Sequence, residues 1–255
     1  MSAVELVTSR QNSVIRHVRK LSADRKYRRN SGEFLCEGPK MLAEAERWGF
    51  VPRTILACAE AELHPWEGRA ARTVLVGPEL LSYAADTETP QGLLFTCAHP
   101  EEPEELPGER LLVLDGVQDP GNVGTIWRTA DAFGADGLVL LPGCADPWSP
   151  KVVRATMGAC FRLPILTCTL EKLTSLLREK NIPLYATALR EDTWDIRGAD
   201  LSRAAVVIGS EGRGVSDRVL EACGQTLKIP MRDRCESLNA AMAAGIVLWE
   251  SWRSR

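Results

Sequence analysis

The second half of the chain repeats one pattern that restricts its fold: a short apolar run followed by a helix-compatible segment. The apolar runs cover residues 111–115, 137–141, 183–189, 204–209 and 226–230. The helical segments cover residues 122–133, 151–161, 170–180, 216–223 and 237–252. Continuous apolar runs are typical of strands that a parallel sheet buries on both faces. The pattern predicts an open α/β fold with a parallel sheet, helices on both faces, and ligands at the carboxyl ends of the strands.

The first 98 residues predict a separate and smaller α/β domain. A helix with an apolar face at Val14, Val18 and Leu21 precedes short apolar runs at residues 54–57, 73–76 and 93–97. Five glutamates between residues 101 and 109 then alternate with prolines. Proline and like-charge repulsion favour an extended, solvated segment. We therefore predict an N-terminal domain over 1–98, an acidic, proline-rich linker over 99–109, and a C-terminal domain over 110–255.

Charge is distributed unevenly along the chain. The total of 31 Lys and Arg against 34 Asp and Glu gives a formal net charge of −3, which by itself argues against a nucleic-acid partner. The segment from residue 10 to residue 29 nevertheless holds one acid, Asp24, and eight basic residues: Arg10, Arg16, Arg19, Lys20, Arg25, Lys26, Arg28 and Arg29. An average over the whole chain therefore does not exclude a nucleic-acid partner.

Membrane, secretory and metal-binding classes are disfavoured by simple counts. The longest charge-free apolar stretch, 237–249, has 13 residues, whereas a bilayer span needs about 20. The opening MSAVELVTSR lacks the features of a secretory signal. The eight cysteines form no C-x-x-C pair, and the chain has three histidines. We expect a cytoplasmic protein with reduced thiols and no required metal.

Two glycine-rich loops follow predicted strands in the C-terminal half. The first, 115–134, has a tight turn in which Asn122 is the predicted N-cap of a helix carrying Arg128, and its exposed N–H groups would suit an anion. From spacing alone, a plain strand-to-helix crossover is the preferred interpretation of this loop. The second, 206–216, places Glu211 among three glycines that allow a ligand close to the backbone. Glu211 has two simpler roles, capping the next helix or pairing with Arg213.

A third loop, 229–250, leads into an apolar helix. Ser237 is its predicted N-cap, and Asn239 is the first polar residue inside it. The helix is apolar nearly all round, so it must be buried on several sides. Burial in the core is one explanation, and an interface with another subunit is the alternative.

In this order and spacing the three loops closely resemble the motifs of the SpoU/TrmH-type RNA 2′-O-ribose methyltransferases of the SPOUT superfamily. The matching residues are Asp119, Pro120, Asn122, Gly124, Arg128, Thr129 and Ala130, then Gly209, Ser210, Glu211 and Gly214, then Ile229, Pro230, Met231, Ser237, Leu238 and Asn239. The likeness covers residues 111–252. The first 98 residues resemble, more loosely, a small ribosomal-protein-like RNA-binding domain, best at EFLCEGPKMLAEA. One departure is Asp233, flanked by Arg232 and Arg234, where the family usually has glycine.

The resemblance implies a fold, a cofactor and an activity. It implies a deep trefoil knot in the C-terminal domain, a homodimer formed through that domain, and S-adenosylmethionine as cofactor. The implied cofactor-binding residues are Gly209, Ile229 and Leu238, with Thr187 and Ala188 beside them. The implied activity is methylation of a ribose 2′-hydroxyl. The attached N-terminal domain favours ribosomal RNA as the substrate, and transfer RNA is the alternative. A role in antibiotic resistance, a non-catalytic RNA-binding protein and an unrelated nucleotide-dependent enzyme remain alternatives.

The resemblance also assigns roles in catalysis. Asn122 and Arg128 match residues that contact RNA and act in the reaction, while Glu211, Ser237 and Asn239 would hold two loops together and orient them. A guanidinium stays protonated at neutral pH, so we expect Arg128 to bind phosphate or act electrostatically rather than as a base. The basic segment at residues 10–29 is expected to dock RNA.

Overall fold

The structure is a computed structural model that describes residues 4–58, 70–190, 192–232 and 237–253. Its strands are β1 Glu5–Val7, β2 Glu33–Glu37, β3 Thr54–Cys58, β4 Arg72–Val76, β5 Leu93–Ala98, β6 Arg110–Asp115, β7 Gly137–Leu140, β8 Ile165–Thr167, β9 Leu184–Thr187, β10 Trp194–Asp195, β11 Ala204–Gly209 and β12 Gln225–Lys228. Its helices are α1 Ser13–Ala23, α2 Arg25–Ser31, α3 Pro39–Arg47, α4 Pro78–Ala84, α5 Pro120–Ala132, α6 Pro150–Thr156, α7 Leu170–Glu179, α8 Asp217–Ala222 and α9 Ala240–Arg253. No helix in these ranges is long and apolar enough to cross a membrane.

The chain divides into two compact units. The first comprises the residues up to Pro100 together with Asp146–Phe161, and the second comprises Glu101–Ala145 and the residues from Arg162 onward. The segment 146–161, which we expected in the C-terminal domain, therefore belongs to the first unit. Aromatic packing explains its position, because Phe34 of β2 lies 4.7 Å from Trp148 and Phe50 lies 4.9 Å from Phe161, measured between ring centroids.

The first unit is a mixed sheet with the strand order β1-β4-β3-β5-β2. Strands β1, β4 and β3 run parallel, and β5 is antiparallel to both β3 and β2. Helix α1 begins after Asn12, whose side chain accepts a hydrogen bond from the Val14 N–H. Its predicted apolar face, Val14, Val18 and Leu21, is buried in the core. The opposite face therefore presents the basic residues to solvent.

The second unit is a parallel sheet with the order β10-β12-β9-β11-β6-β7-β8. The five predicted strands are all present, and β8 and β10 are additional short strands. The central strand β11 lies between β6 and β9, and Gly209 is paired in register with Asp115. The carboxyl ends of β6 and β11 are therefore level, which brings the loops that follow them together.

The acidic segment 101–109 is not simply a solvated linker. It lies in the second unit, and Leu106 is buried in that unit's core. Its glutamates are held locally: Glu102 accepts a hydrogen bond from the Thr167 N–H (2.6 Å), and Glu109 pairs with Arg203 (2.9 Å). Nearby partners on β8 and near β11 offset the repulsion between the acids, which the linker prediction did not include.

Candidate active site

A cavity of about 460 Å³ opens at the carboxyl ends of β9, β11 and β12 and at the start of α9. Its position agrees with the rule that α/β proteins bind ligands outside the carboxyl ends of their strands. The cavity is lined by Thr187, Ala188, Leu189, Ile208, Gly209, Ser210, Glu211, Gly212, Gly214, Leu227, Lys228, Ile229, Met231, Ser237, Leu238, Ala240 and Ala243. Its size is in the range of small-molecule and cofactor sites.

One wall of the cavity is a tight hairpin that follows β11. Ser210 and Gly214 exchange two backbone hydrogen bonds of 3.0 and 2.9 Å, and Gly214 has a φ of 67°. A Cβ placed on Gly209 would lie 2.0 Å from the Gly214 carbonyl carbon and 2.2 Å from the Val215 nitrogen. The hairpin can therefore form only if residue 209 is glycine.

A second element, α5, carries Asn122 to the same place. Asp119 is the N-cap of α5 and its Oδ1 accepts a hydrogen bond from the Asn122 N–H (2.8 Å), so the expectation that Asn122 itself is the N-cap is wrong. Pro120 explains the earlier start, because proline is favoured in the first turn. The Asn122 side-chain amide donates to Glu211 and its Oδ1 accepts from the Asn239 amide (3.2 Å). Three loops thus meet at one asparagine.

Helix α9 begins later than expected, at Ala240. Asn239 Oδ1 accepts hydrogen bonds from the Ala241 N–H (2.9 Å) and the Met242 N–H (3.3 Å), so Asn239 caps the helix and the prediction of Ser237 as N-cap is wrong. The amide suits this position because its oxygen caps α9 while its nitrogen donates to Asn122. The N-termini of α5 and α9 are joined by this pair of amides.

The predicted site residues fall into three groups in the structure. Thr187, Ala188, Gly209, Ile229 and Leu238 line the cavity, and so do Glu211 and Ser237. Asn122 lies beside the cavity through its contact with Glu211, and Asn239 is joined to it through its contact with Asn122. Arg128 is exposed on α5, two turns beyond the start of the helix, and its side chain has no partner among the described residues. Asp233 and Arg234 lie outside the described residues.

Several lining residues were not among the predicted ones, notably Leu189, Lys228 and Met231. Lys228 ends β12, Leu189 lies two residues beyond the end of β9, and Met231 lies three residues beyond the end of β12. The signal that would have found them is the position of the strand ends, since every residue at such an end lies near the crevice.

Two partly buried cysteines of the second unit, Cys144 and Cys223, are not suited to nucleophilic chemistry. Burial, together with the negative charge of Asp115, raises the pKa of Cys223 to about 12. Burial also raises the pKa of the Cys144 thiol to about 11. Both thiols are protonated near neutral pH, and a thiol is a weak nucleophile. Among the described residues that line or adjoin the cavity, the polar side chains are amide, carboxylate, hydroxyl and ammonium groups.

The basic residues expected to dock RNA lie on the first unit, and most are exposed. Arg28 is the exception and is removed from that set. It is 4% exposed, its guanidinium contacts Asp146 at 2.6 Å, and its Nη1 donates to the carbonyls of Leu21 and Ser22. A buried cation of this kind is held by internal partners and ties α2 to the segment 146–161. The seven exposed members are Arg10, Arg16, Arg19, Lys20, Arg25, Lys26 and Arg29.

The second unit defines a class of protein: a parallel α/β fold with a glycine-walled cavity of cofactor size, beside which Asn122 is bonded to both Glu211 and Asn239. The chain belongs to the SpoU rRNA methylase family, whose model matches residues 109–249. A model of the MRM3-like substrate binding domain matches residues 12–94. The two matches fall on the second and first halves of the chain respectively.

Similar proteins match over almost the whole chain. The 23S rRNA (guanosine(2553)-2′-O)-methyltransferase RlmP of Bacillus subtilis is 31% identical, over 95% of this chain and 97% of its own. An AdoMet-bound rRNA methyltransferase from Sinorhizobium meliloti superposes with a TM-score of 0.86 at 31% identity, covering 98% of both chains. The SpoU methyltransferase AviRb from Streptomyces viridochromogenes, in complex with the cofactor AdoMet, has a TM-score of 0.85 at 30% identity, over 95% of this chain and 98% of its own.

Proposed function

We propose that this protein is an S-adenosylmethionine-dependent methyltransferase that methylates a ribose 2′-hydroxyl of ribosomal RNA. The observation that carries the proposal is the cavity closed by the Gly209 hairpin, with Asn122 held beside it by Glu211 and Asn239. Relatives that match both halves of the chain and are named as rRNA methyltransferases favour ribosomal over transfer RNA.

The cavity residues fit this cofactor. Apolar side chains of Leu227, Ile229 and Leu238 suit the faces of an adenine, and the backbone around Gly209 is open to close approach. Thr187 and Ala188 would complete the wall at the end of β9. S-adenosylmethionine supplies an activated methyl group on a sulfonium sulfur. The protein's own contribution is to hold the acceptor hydroxyl in line with the methyl group and the sulfur. Such positioning lowers the activation barrier by roughly 7–11 kcal/mol in well-oriented reactions.

Asn122 and Arg128 are proposed to orient the RNA. Glu211 and Asn239 hold the Asn122 amide in one orientation, and a pre-oriented group loses little entropy when substrate binds. The planar guanidinium group of Arg128 carries several donors that match phosphate geometry, so its role is to bind a phosphate near the reacting ribose. Glu211, Ser237 and Asn239 position these groups from the two facing loops.

The decisive experiment is methyl transfer from tritiated S-adenosylmethionine to ribosomal RNA, with transfer RNA as the competing substrate. We expect label in ribosomal RNA at a 2′-O-methyl position, and label confined to transfer RNA would overturn the choice of substrate. Arg128→Ala should abolish transfer while calorimetry finds unchanged cofactor affinity. Arg178→Ala, which removes an exposed arginine from α7, is the matched control and should keep activity. Loss of cofactor affinity in Arg128→Ala would contradict the assigned role.

We also propose that the protein is a homodimer formed through the outer face of α9. Ala244, Val247 and Leu248 face the core, whereas Met242 is 62% exposed and Trp249 and Trp252 are about half exposed. The two tryptophan rings stack at 5.2 Å between centroids, which gives a rigid apolar surface. Sedimentation velocity should find a dimer that Met242→Glu dissociates and that Val51→Glu, on the first unit, leaves intact. A monomeric wild type would overturn this proposal.

The remaining parts of the chain are assigned by the same family relationship. We propose that residues 1–98 bind the RNA substrate and that residues 110–255, apart from the segment 146–161 that packs in the first unit, form the catalytic domain. Family membership supports a deep trefoil knot in that domain. A cytoplasmic location is supported by the cysteines of the described residues, which are free thiols.

A further inference from the structure

An exposed tyrosine of the first unit lies among the basic residues of the N-terminal segment. Tyr83, at the end of α4, is 37% exposed. The Cζ atom of Arg10 lies 4.6 Å from the centroid of its ring, and that of Arg19 lies 5.6 Å away. Arg19 also donates to the Ala85 carbonyl oxygen (3.2 Å), which fixes it beside the ring. An aromatic ring and two guanidinium groups thus share one surface.

The packing of two helices creates this surface. Helix α1 buries Val14, Ile15, Val18 and Leu21, and α4 buries Leu80 and Leu81 in the same core cluster. Their outer faces are therefore adjacent: α1 presents Arg16, Arg19 and Lys20, and α4 presents Tyr83. None of these side chains packs in the core, so they are available to bind a ligand at the surface.

A neighbouring tyrosine differs in a way that singles out Tyr83. Lys20 Nζ lies 5.2 Å from the Tyr27 ring, but Tyr27 packs against the core and its hydroxyl is bonded to His17 Nδ1 (2.8 Å). That ring is occupied by internal contacts. The Tyr83 ring is exposed, and within the described residues the Arg10 side chain that covers it makes no ion pair or hydrogen bond. Moving Arg10 aside costs only a weak cation–π contact at an exposed site.

We propose that Tyr83, with Arg10 and Arg19, is a stacking site for an unpaired base of the RNA substrate. Single-stranded RNA is recognised by stacking its bases on aromatic rings and guanidinium planes while basic groups contact the phosphates. A base in a duplex has both faces covered, so this site selects an unpaired nucleotide. Arg10 contacts a flanking phosphate once the base takes its place on the ring. The proposal rests on RNA being the substrate, as proposed above.

The test uses the full-length protein and fluorescence anisotropy with a short labelled single-stranded RNA and the blunt duplex it forms with its complement. Tyr83→Leu should weaken binding of the single strand about tenfold, since stacking is worth about 1–3 kcal/mol per base. Tyr83→Phe keeps the ring and should bind like the wild type. Tyr83→Leu removes no charge, so the dependence of the binding constant on salt should not change.

Charge variants separate stacking from bulk attraction. Arg10→Ala should reduce the slope of log K against log salt by about 0.7, the value of one phosphate contact on a single strand. Arg47→Ala, an exposed arginine at the end of α3, is the matched control and should leave both affinity and slope unchanged.

The outcomes distinguish this inference from the proposed function. If the wild type methylates RNA and Tyr83→Leu binds the single strand as tightly as wild type does, the stacking site is wrong and the function stands. A preference for the duplex that Tyr83→Leu does not alter also overturns the site. If the wild type binds no RNA, the proposed function itself fails.

Discussion

Replacing Gly209 by alanine should damage the cavity through backbone displacement alone. The added Cβ would lie 2.0 Å from the Gly214 carbonyl carbon, whereas ordinary contacts begin at 3.4 Å, so the hairpin must retreat by well over an ångström. That movement breaks the two hydrogen bonds between Ser210 and Gly214. At about 0.5–1.5 kcal/mol each, their loss costs about 1–3 kcal/mol of unfolding free energy. It also carries Glu211 away from Asn122.

Urea denaturation and calorimetric titration with S-adenosylmethionine measure the two effects of Gly209→Ala. We expect the unfolding free energy to fall by about 1–3 kcal/mol and cofactor affinity to fall about tenfold or more, which corresponds to 1.4 kcal/mol of binding free energy. Gly212→Ala is the control, because a Cβ there meets nothing within 4 Å although the residue lines the same cavity. If Gly209→Ala binds the cofactor as Gly212→Ala does, the hairpin does not shape the site.

Two further changes test other contacts. Asn239→Asp keeps an oxygen to cap α9 but loses the donor to Asn122, so thermal stability should be retained while methyl transfer falls; equal activity would contradict the positioning role. Glu33 is the second case: burial would raise its pKa, but hydrogen bonds from His17 and Arg53 lower it from 4.5 to about 2. Because the folded pKa is the lower one, Glu33 contributes up to about 3 kcal/mol of stability above pH 4.5, lost as the pH falls toward 2. Melting curves at pH 7 and pH 4 should differ less for Glu33→Gln than for wild type.

Most helices and strands could be predicted because their apolar residues repeat over enough positions to reveal the period of a helix or a strand. Strands β6, β9 and β11 coincide with continuous apolar runs, and α1 with a helical apolar face. Strand β10 has two residues, too few for any pattern, and exists because it pairs with β12. Helix α2, with the sequence RKYRRNS, has no apolar periodicity. It is defined by the Asp24 cap and by Gly32, which ends it at a φ of 64°.

The path of residues 146–161 could not be predicted from local pattern. Its helix was expected between two strands of the C-terminal sheet, and sequence neighbours in an α/β fold normally stay in one domain. The contacts that place it in the first unit join residues more than a hundred positions apart, such as Arg28 with Asp146 and Phe34 with Trp148. The same burial of Arg28 explains why a run of basic residues did not translate into a uniformly exposed face.

The role of Glu211 could not be predicted from its sequence neighbours, because its partner in the structure is the distant side chain of Asn122. Local reasoning gave Glu211 two partners, the next helix and Arg213, whereas the structure gives it Asn122, 89 residues away. Asn122 needs an acceptor on its nitrogen and a donor on its oxygen, and Glu211 and Asn239 supply one each. The residue at position 239 must cap α9 with an acceptor and also donate to Asn122. A carboxylate can only accept and an ammonium group can only donate, so neither could perform both functions. The three motifs are therefore joined by one set of hydrogen bonds that forms only when the three loops meet.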